Sequence, residues 1–201
     1  MDEEKKIKTP LAVIIAGGKS SRMGRDKALL PVGGKPMAQL LVDRFRADGF
    51  AVALSVARKG QFPIEGAAEL TDAFPGMGPL NGIVAAFSET DAQQILLVAA
   101  DMPKAAPALA RRLEELRGDC DACVVRREDG TVETLFGIYT RACHAEALRC
   151  LESGRRSIRA VLDSVRVRYV TESELPGWPL ADILSNLNTP EDYARFHAQE
   201  Q

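Results

Sequence analysis

The sequence lacks a charge excess, a long apolar run and a cysteine framework. Its 26 lysines and arginines against 28 acids leave a net charge of -2, without the basic surplus that wholesale binding to nucleic acid or an anionic membrane requires. Any anion site must be local. The stretch MDEEKKIKTP mixes charge signs with no apolar run behind it, so neither a signal peptide nor a transmembrane helix is expected and the reading is cytoplasmic. Of the four cysteines, Cys120 and Cys123 form a C-x-x-C pair, but no second pair completes a zinc site, and Cys123 leads into a strand-like Val124-Val125 rather than the helix that a redox motif opens. Cys143 and Cys150 are spaced to share a helix face, and buried free thiols are expected. His144 and His197 lie in charged helical contexts without evident partners and receive no role. No Ser- or Pro-rich linker, repeat or low-complexity tract divides the chain, so a single domain over 1–201 is expected.

What is present is an ordinary globular composition, 46% hydrophobic and 27% charged, enough for one sizeable core. Apolar runs of strand length occur at 11–15, 51–56, 95–99, 122–125 and 135–139. Helical patterns alternate with them. Met37–Ala47 places Leu40, Leu41, Phe45 and Ala47 on one face, 79–87 carries Leu80, Ile83, Val84 and Phe87, and 107–116 carries Leu109, Leu113 and Leu116. This alternation predicts an α/β fold whose mostly parallel sheet is covered by helices on both faces. The run 95–100 stops at Asp101-Met102-Pro103, which puts a carboxylate at a strand's carboxyl end, where open α/β sheets take their ligands.

Behind the first run comes IIAGGKSSRMGRDKALLPVGGKPM, residues 14–37, where Gly17, Gly18 and Gly24 stand among Lys19, Arg22, Arg25 and Lys27. Glycine lets successive backbone amides turn toward a ligand and make a nest for phosphate oxygens, and the basic side chains supply charge. Two familiar phosphate loops are excluded. The earlier glycine of a Walker A loop would fall at Val13, and a dinucleotide fingerprint meets Lys19 and Ser20 where it needs glycine. An anion loop of a third kind remains, against the plainer reading of a basic surface loop.

The segment 16–27 resembles the A-G-G-x-x-x-R-M-G-x-x-K signature of the nucleotidyltransferases. With the Gly17-Gly18 pair, the stretch FPGMGPLNGI at 74–83 and NLNTPE at 186–191, the sequence is most similar to the molybdenum cofactor guanylyltransferases of that superfamily. The resemblance implies a three-layer Rossmann-like nucleotidyltransferase fold, its N-terminal half binding nucleotide and its C-terminal half the acceptor. It further implies that Ile15, Ala16, Gly17 and Gly18 line the nucleotide through backbone contacts, and that Lys27 and Arg22 hold its phosphates. Asp72 holds the nucleotide in relatives, Asp101 matches a magnesium ligand and Asn188 closes the metal site. Relatives often carry asparagine where this chain has Ser55, a shorter hydrogen-bonding group.

The implied reaction passes GMP from GTP to the terminal phosphate of molybdopterin and releases pyrophosphate. Charge then builds on the α-phosphate oxygens, which positioned cations and Mg²⁺ answer, and Mg²⁺ commonly bridges one or two carboxylates to phosphates. An acceptor phosphate is already ionised, so no general base is needed. Several readings stay open from the residues alone. Asp101 also suits a helix N-cap and Asp72 ordinary turn chemistry. Arg155, Arg156 and Arg159 suit either an anionic pterin or a solvated helix face. Trp178 suits a pterin cover or a loop-packing aromatic. A cytidylyltransferase for the same cofactor, a transferase making a nucleotide sugar, and a non-catalytic GTP-binding protein that recruits molybdoenzyme chaperones are the alternatives in function.

Overall fold

The computed structural model describes residues 9–16 and 26–199. Among the described residues, nine strands are formed: β1 Leu11–Ile15, β2 Pro31–Val32, β3 Lys35–Pro36, β4 Val52–Val56, β5 Ala68–Thr71, β6 Gln94–Ala99, β7 Ala122–Arg126, β8 Val132–Thr140 and β9 Val167–Thr171. The helices are α1 Met37–Ala47, α2 Leu80–Glu89, α3 Pro107–Arg117, α4 Cys143–Glu152, α5 Arg159–Leu162, α6 Leu180–Ile183 and α7 Pro190–Gln199. Seven strands make one sheet in the order β5-β4-β1-β6-β8-β7-β9, and β2 pairs with β3 in a separate hairpin. Gly33 and Gly34 make the tight turn of that hairpin with φ of 55° and 81°, values that side chains with a Cβ rarely adopt.

The sheet is mostly parallel, as the alternation predicts: β1 pairs in parallel with β4 and β6, β4 with β5, and β7 with β9. Only β8 runs against its neighbours β6 and β7. Successive residues of the inner strands serve opposite faces. Ala12, Ile14, Leu96 and Val98 pack with Leu41 and Phe45 of α1 and Leu109 and Leu113 of α3. Val13, Ala53, Ile95 and Leu97 pack with Ile83 and Phe87 of α2 and Cys143 and Ala147 of α4. Both sides are therefore buried, which is why these strands read as unbroken apolar runs. Each fully buried Leu, Ile or Phe adds roughly 1.5–3 kcal/mol relative to exposure, so the two layers supply the main driving force.

Several local expectations change. In α1 the buried face is Met37, Ala38, Leu41, Val42 and Phe45, with Leu40 half-buried and Ala47 exposed. Leu40 instead joins a small cluster of Leu30, Val32, Met37, Leu187 and Phe196 that fastens α7 to the hairpin. Leu116 is half-buried as well. The edge strands β5 and β9 have one buried residue each, Leu70 and Val170, and so carry no apolar run to read. Cys123, Cys143 and Cys150 are buried free thiols, whereas Cys120 is half-buried. Burial pushes the Cys123 and Cys143 thiols up to about 12, which makes them inert. No described helix is long and apolar enough to cross a membrane.

Candidate active site

From β1 the chain goes on to β4 on one side of it in the sheet, and from β6 to β7 and β8 on the other, so strand order reverses between β1 and β6 and a crevice opens at the carboxyl ends of these two neighbouring strands. The Ala16 amide donates to the Ser55 carbonyl at 3.1 Å, and the Ala100 amide to the Ile15 carbonyl at 3.2 Å, which ties β4, β1 and β6 together at that end. Gly17, Gly18 and Arg22, expected in the phosphate grip, lie outside the described residues, as do Lys19, Gly24 and Arg25.

The described chain resumes at Asp26, a residue for which the sequence suggests no role. Its Oδ1 accepts from the Ala28 amide at 3.2 Å and caps the short 3-10 turn Lys27–Leu29, while burial pushes its carboxyl above the ordinary range. The turn fixes the Lys27 backbone and leaves its stem to reach across the crevice. Lys27 Nζ donates to Asp101 Oδ2 at 2.9 Å and to Asn188 Oδ1 at 2.7 Å. Three residues far apart in sequence thus meet on one ammonium group.

Each member of this trio is held from behind. Asp101 does not cap a helix: α3 begins after Ala106 as its N-cap. The Asp101 carbonyl accepts from the Leu187 amide at 2.9 Å, which joins the β6 loop to the segment bearing Asn188. Arg44 of α1 braces that loop by donating to the carbonyls of Pro103 at 2.5 Å and Ala105 at 3.1 Å. Asn188 stands at the start of α7, where Asp192 Oδ2 accepts from the amides of Asn188 and Thr189 at 3.1 and 3.0 Å. The Asp192 amide donates back to Thr189 Oγ1 at 3.1 Å, a reciprocal cap. Along its length α7 is fastened to the hairpin, because the Tyr193 hydroxyl donates to the Pro31 carbonyl and His197 Nε2 lies 3.0 Å from the same oxygen. His197 therefore has a partner, contrary to the sequence reading. His144 does too: its Nε2 lies 3.1 Å from Ser88 Oγ and links α4 to α2.

A second acid lies across the strand ends. Ser55 is buried, and its hydroxyl donates to Asp72 Oδ1 at 2.8 Å, while the Asp72 amide donates to the Val56 carbonyl at 2.9 Å. Burial raises the Asp72 pKa and the Ser55 bond opposes that only in part. Ser55 thus reaches Asp72 despite its short side chain. Gly82 lets α2 settle onto this end: a Cβ there would come within 2.2 Å of Ile15 Cδ1 and 3.6 Å of Ser55 Oγ. The adjoining FPGMGPLN turn is pinned by Asn81, fully buried, which accepts from the Phe74 amide at 2.9 Å and donates to the carbonyls of Phe74 and Gly78 at 2.8 and 3.2 Å. Asn81 lies within the FPGMGPLNGI stretch, and its burial and backbone bonds give it the role of pinning that turn.

The remaining candidates separate. Arg155, Arg156 and Arg159 are exposed, and the Arg156 backbone adjoins the same turn, 3.6 Å from where a Cβ on Gly78 would sit. Arg155 pairs with Glu146 at 3.6 Å. Trp178 packs against the core layer beneath α1 and α3 and so acts as a loop-packing aromatic. Among the described residues no group of three or more His, Cys, Asp or Glu side chains gathers as a self-sufficient metal cage. One carboxylate and one amide oxygen around a cation do suit Mg²⁺, which keeps several waters and takes further oxygens from substrate phosphates.

Known proteins can be set beside this geometry. Residues 12–169 match the family model of the MobA-like NTP transferase domain. A probable molybdenum cofactor guanylyltransferase of Carboxydothermus hydrogenoformans is 33% identical over 184 residues, 91% of this chain and 92% of that protein. A molybdenum cofactor guanylyltransferase of Yersinia pestis is 31% identical, covering 90% and 91%. The crystal structure of molybdopterin-guanine dinucleotide biosynthesis protein A from Archaeoglobus fulgidus superposes with a TM-score of 0.80 at 23% identity, over 94% of this chain and 97% of that one.

Proposed function

The chain belongs to the MobA-like NTP transferase domain family and is a nucleotidyltransferase, and from that membership we propose that it transfers GMP from GTP to the terminal phosphate of a molybdenum-bound molybdopterin. The observation that carries the reading is the meeting of Lys27, Asp101 and Asn188 at the mouth of the β1–β6 crevice. A nucleoside triphosphate entering there exchanges water for fixed charges: Lys27 takes phosphate oxygens, and Arg22, earlier in the same glycine-rich segment, adds a second cation. Asp101 and Asn188 would hold Mg²⁺, which would supply positive charge to the phosphate oxygens as negative charge develops. Ile15 and Ala16, whose Ile15 carbonyl and Ala16 amide are engaged across the strand ends, line the base beside Gly17 and Gly18, and Asp72, oriented by Ser55, accepts a hydrogen bond from the nucleoside.

The acceptor approaches from the C-terminal half. Exposed Arg155, Arg156 and Arg159 beside the Gly78 turn suit an anionic pterin phosphate. That phosphate is the nucleophile, so the site needs no side chain to remove a proton. The bond formed joins the acceptor oxygen to the α-phosphorus, the α–β anhydride bond breaks, and pyrophosphate carries the electron pair away. The relatives from C. hydrogenoformans and Y. pestis support guanine as the base. Pyrophosphate release with charged cofactor should be fastest with GTP. Faster release with CTP or UTP would move the chain to a cytidylyl or sugar-nucleotide role, and GTP binding without release would make it a binding protein.

A further inference from the structure

We propose that Lys27 is the resident cation of the metal site and keeps it closed to a divalent ion until a nucleotide arrives. The inference rests on the reading of Asp101 and Asn188 as metal-holding residues. Lys27 Nζ lies 2.9 Å from Asp101 Oδ2 and 2.7 Å from Asn188 Oδ1, the two oxygens that reading assigns to the metal. An ammonium already hydrogen-bonded to both cannot stay while a second cation takes the same lone pairs. The side chains of Lys27 and Asp101 are 21% and 19% exposed, so water screens their attraction only in part.

The charges balance without a metal: one carboxylate, one ammonium and a neutral amide. A bare divalent ion would have to evict Lys27 from both the Asp101 and the Asn188 oxygen. A triphosphate changes this, because it brings several negative charges and offers the ammonium oxygens of its own. Lys27 is also the member free to move. The Asn188 backbone is fixed by Asp192 and the Asp101 backbone by Leu187, whereas Lys27 is held at its backbone by the Asp26-capped turn and extends a flexible four-carbon stem. Lys27 therefore passes from Asp101 and Asn188 to the phosphates as the nucleotide binds, and returns when pyrophosphate departs. Asp101 and Asn188 would thus become available to a divalent ion only once a nucleotide has drawn Lys27 away.

The test is a titration with Mn²⁺ as probe, its free-ion signal followed by electron paramagnetic resonance, on the full chain without nucleotide. Lys27→Met keeps the stem and removes the charge, and should bind Mn²⁺ about tenfold tighter than wild type, the size expected for removing one charge-assisted competitor. With a GTP analogue carrying a methylene between the α- and β-phosphates, wild type should gain far more Mn²⁺ affinity than Lys27→Met does. Equal Mn²⁺ affinity of the two proteins without nucleotide overturns the proposal. Asp101→Asn separates this from failure of the site reading: if analogue-dependent Mn²⁺ binding survives that change undiminished, the metal is not at Asp101 and both ideas fall. Should Lys27→Met not fold, the lysine ammonium ¹⁵N resonances of wild type serve instead. The Lys27 signal should shift on adding Mg²⁺ with the analogue and stay in place with Mg²⁺ alone; a shift with Mg²⁺ alone contradicts the proposal.

Discussion

Asp101 takes a full positive charge from Lys27 at 2.9 Å, whereas Asp72, at the end of the next-but-one strand past β1, takes only a hydroxyl hydrogen from Ser55 at 2.8 Å. The first carboxylate faces the long, partly exposed Lys27 side chain, which can move to another partner. The second sits against a short, buried side chain and has nowhere to go. On the proposed reading, the Lys27–Asp101 side of the crevice, which takes the phosphates, is built for exchange of charged partners, and the Ser55–Asp72 side, which takes the nucleoside, for fixed shape.

Breaking the exchange side should have the larger effect. Asp101→Asn should lower transfer by about 10²–10³, the typical effect of losing one preorganised electrostatic group, with nucleotide affinity changed much less; steady-state pyrophosphate release alongside a fluorescent-nucleotide titration checks both. Its effect on stability should stay below about 1 kcal/mol, because the Lys27–Asp101 pair is only partly buried. Asp72→Asn, nearly the same shape, should weaken nucleotide binding about tenfold through loss of a charge-assisted hydrogen bond while turnover at saturation holds. A loss of turnover with unchanged affinity would erase the distinction between the two acids.

Smaller effects test the supports. Thr189→Ala removes the α7 cap behind Asn188 and should cost about 1 kcal/mol in chemical denaturation, with a rise in the Mg²⁺ concentration needed for half-maximal rate. Smallest is the pH signature of Asp72. Its folded pKa lies above the ordinary 3.8, so the folded state holds more proton than the unfolded one in the window just above 3.8. Stability should fall as pH rises through that window and level off above it, and Asp72→Asn should remove this component from the denaturation midpoint measured against pH.

The same contrast governs what the sequence makes legible. The inner strands β1, β4 and β6 show plainly because both their faces are buried, and β5 and β9 stay hidden because edge position leaves them one buried residue each. Lys27, Asp101, Asn188, Asp72 and Ser55 could be named from motif and strand position, and the fold gathers them into two clusters. The supports could not. Arg44 spends its side chain on carbonyls of the loop after Asp101, and Tyr193 and His197 spend theirs on the Pro31 carbonyl more than 160 positions away. Backbone acceptors carry no residue identity, so nothing in a sequence marks such pairings. Asp26 and Asp192 are hidden for the related reason that an acid capping its own turn looks like any surface acid.

GTP labelled with ³²P at the α-position, incubated with Mg²⁺ and molybdenum-charged molybdopterin, measures the central claim most directly. The label should appear in the pterin product one-for-one with released pyrophosphate, and in a single turnover Lys27→Met should slow that transfer by at least about 10². Transfer by Lys27→Met at the wild-type rate, or label that never leaves the nucleotide in wild type, would contradict the account.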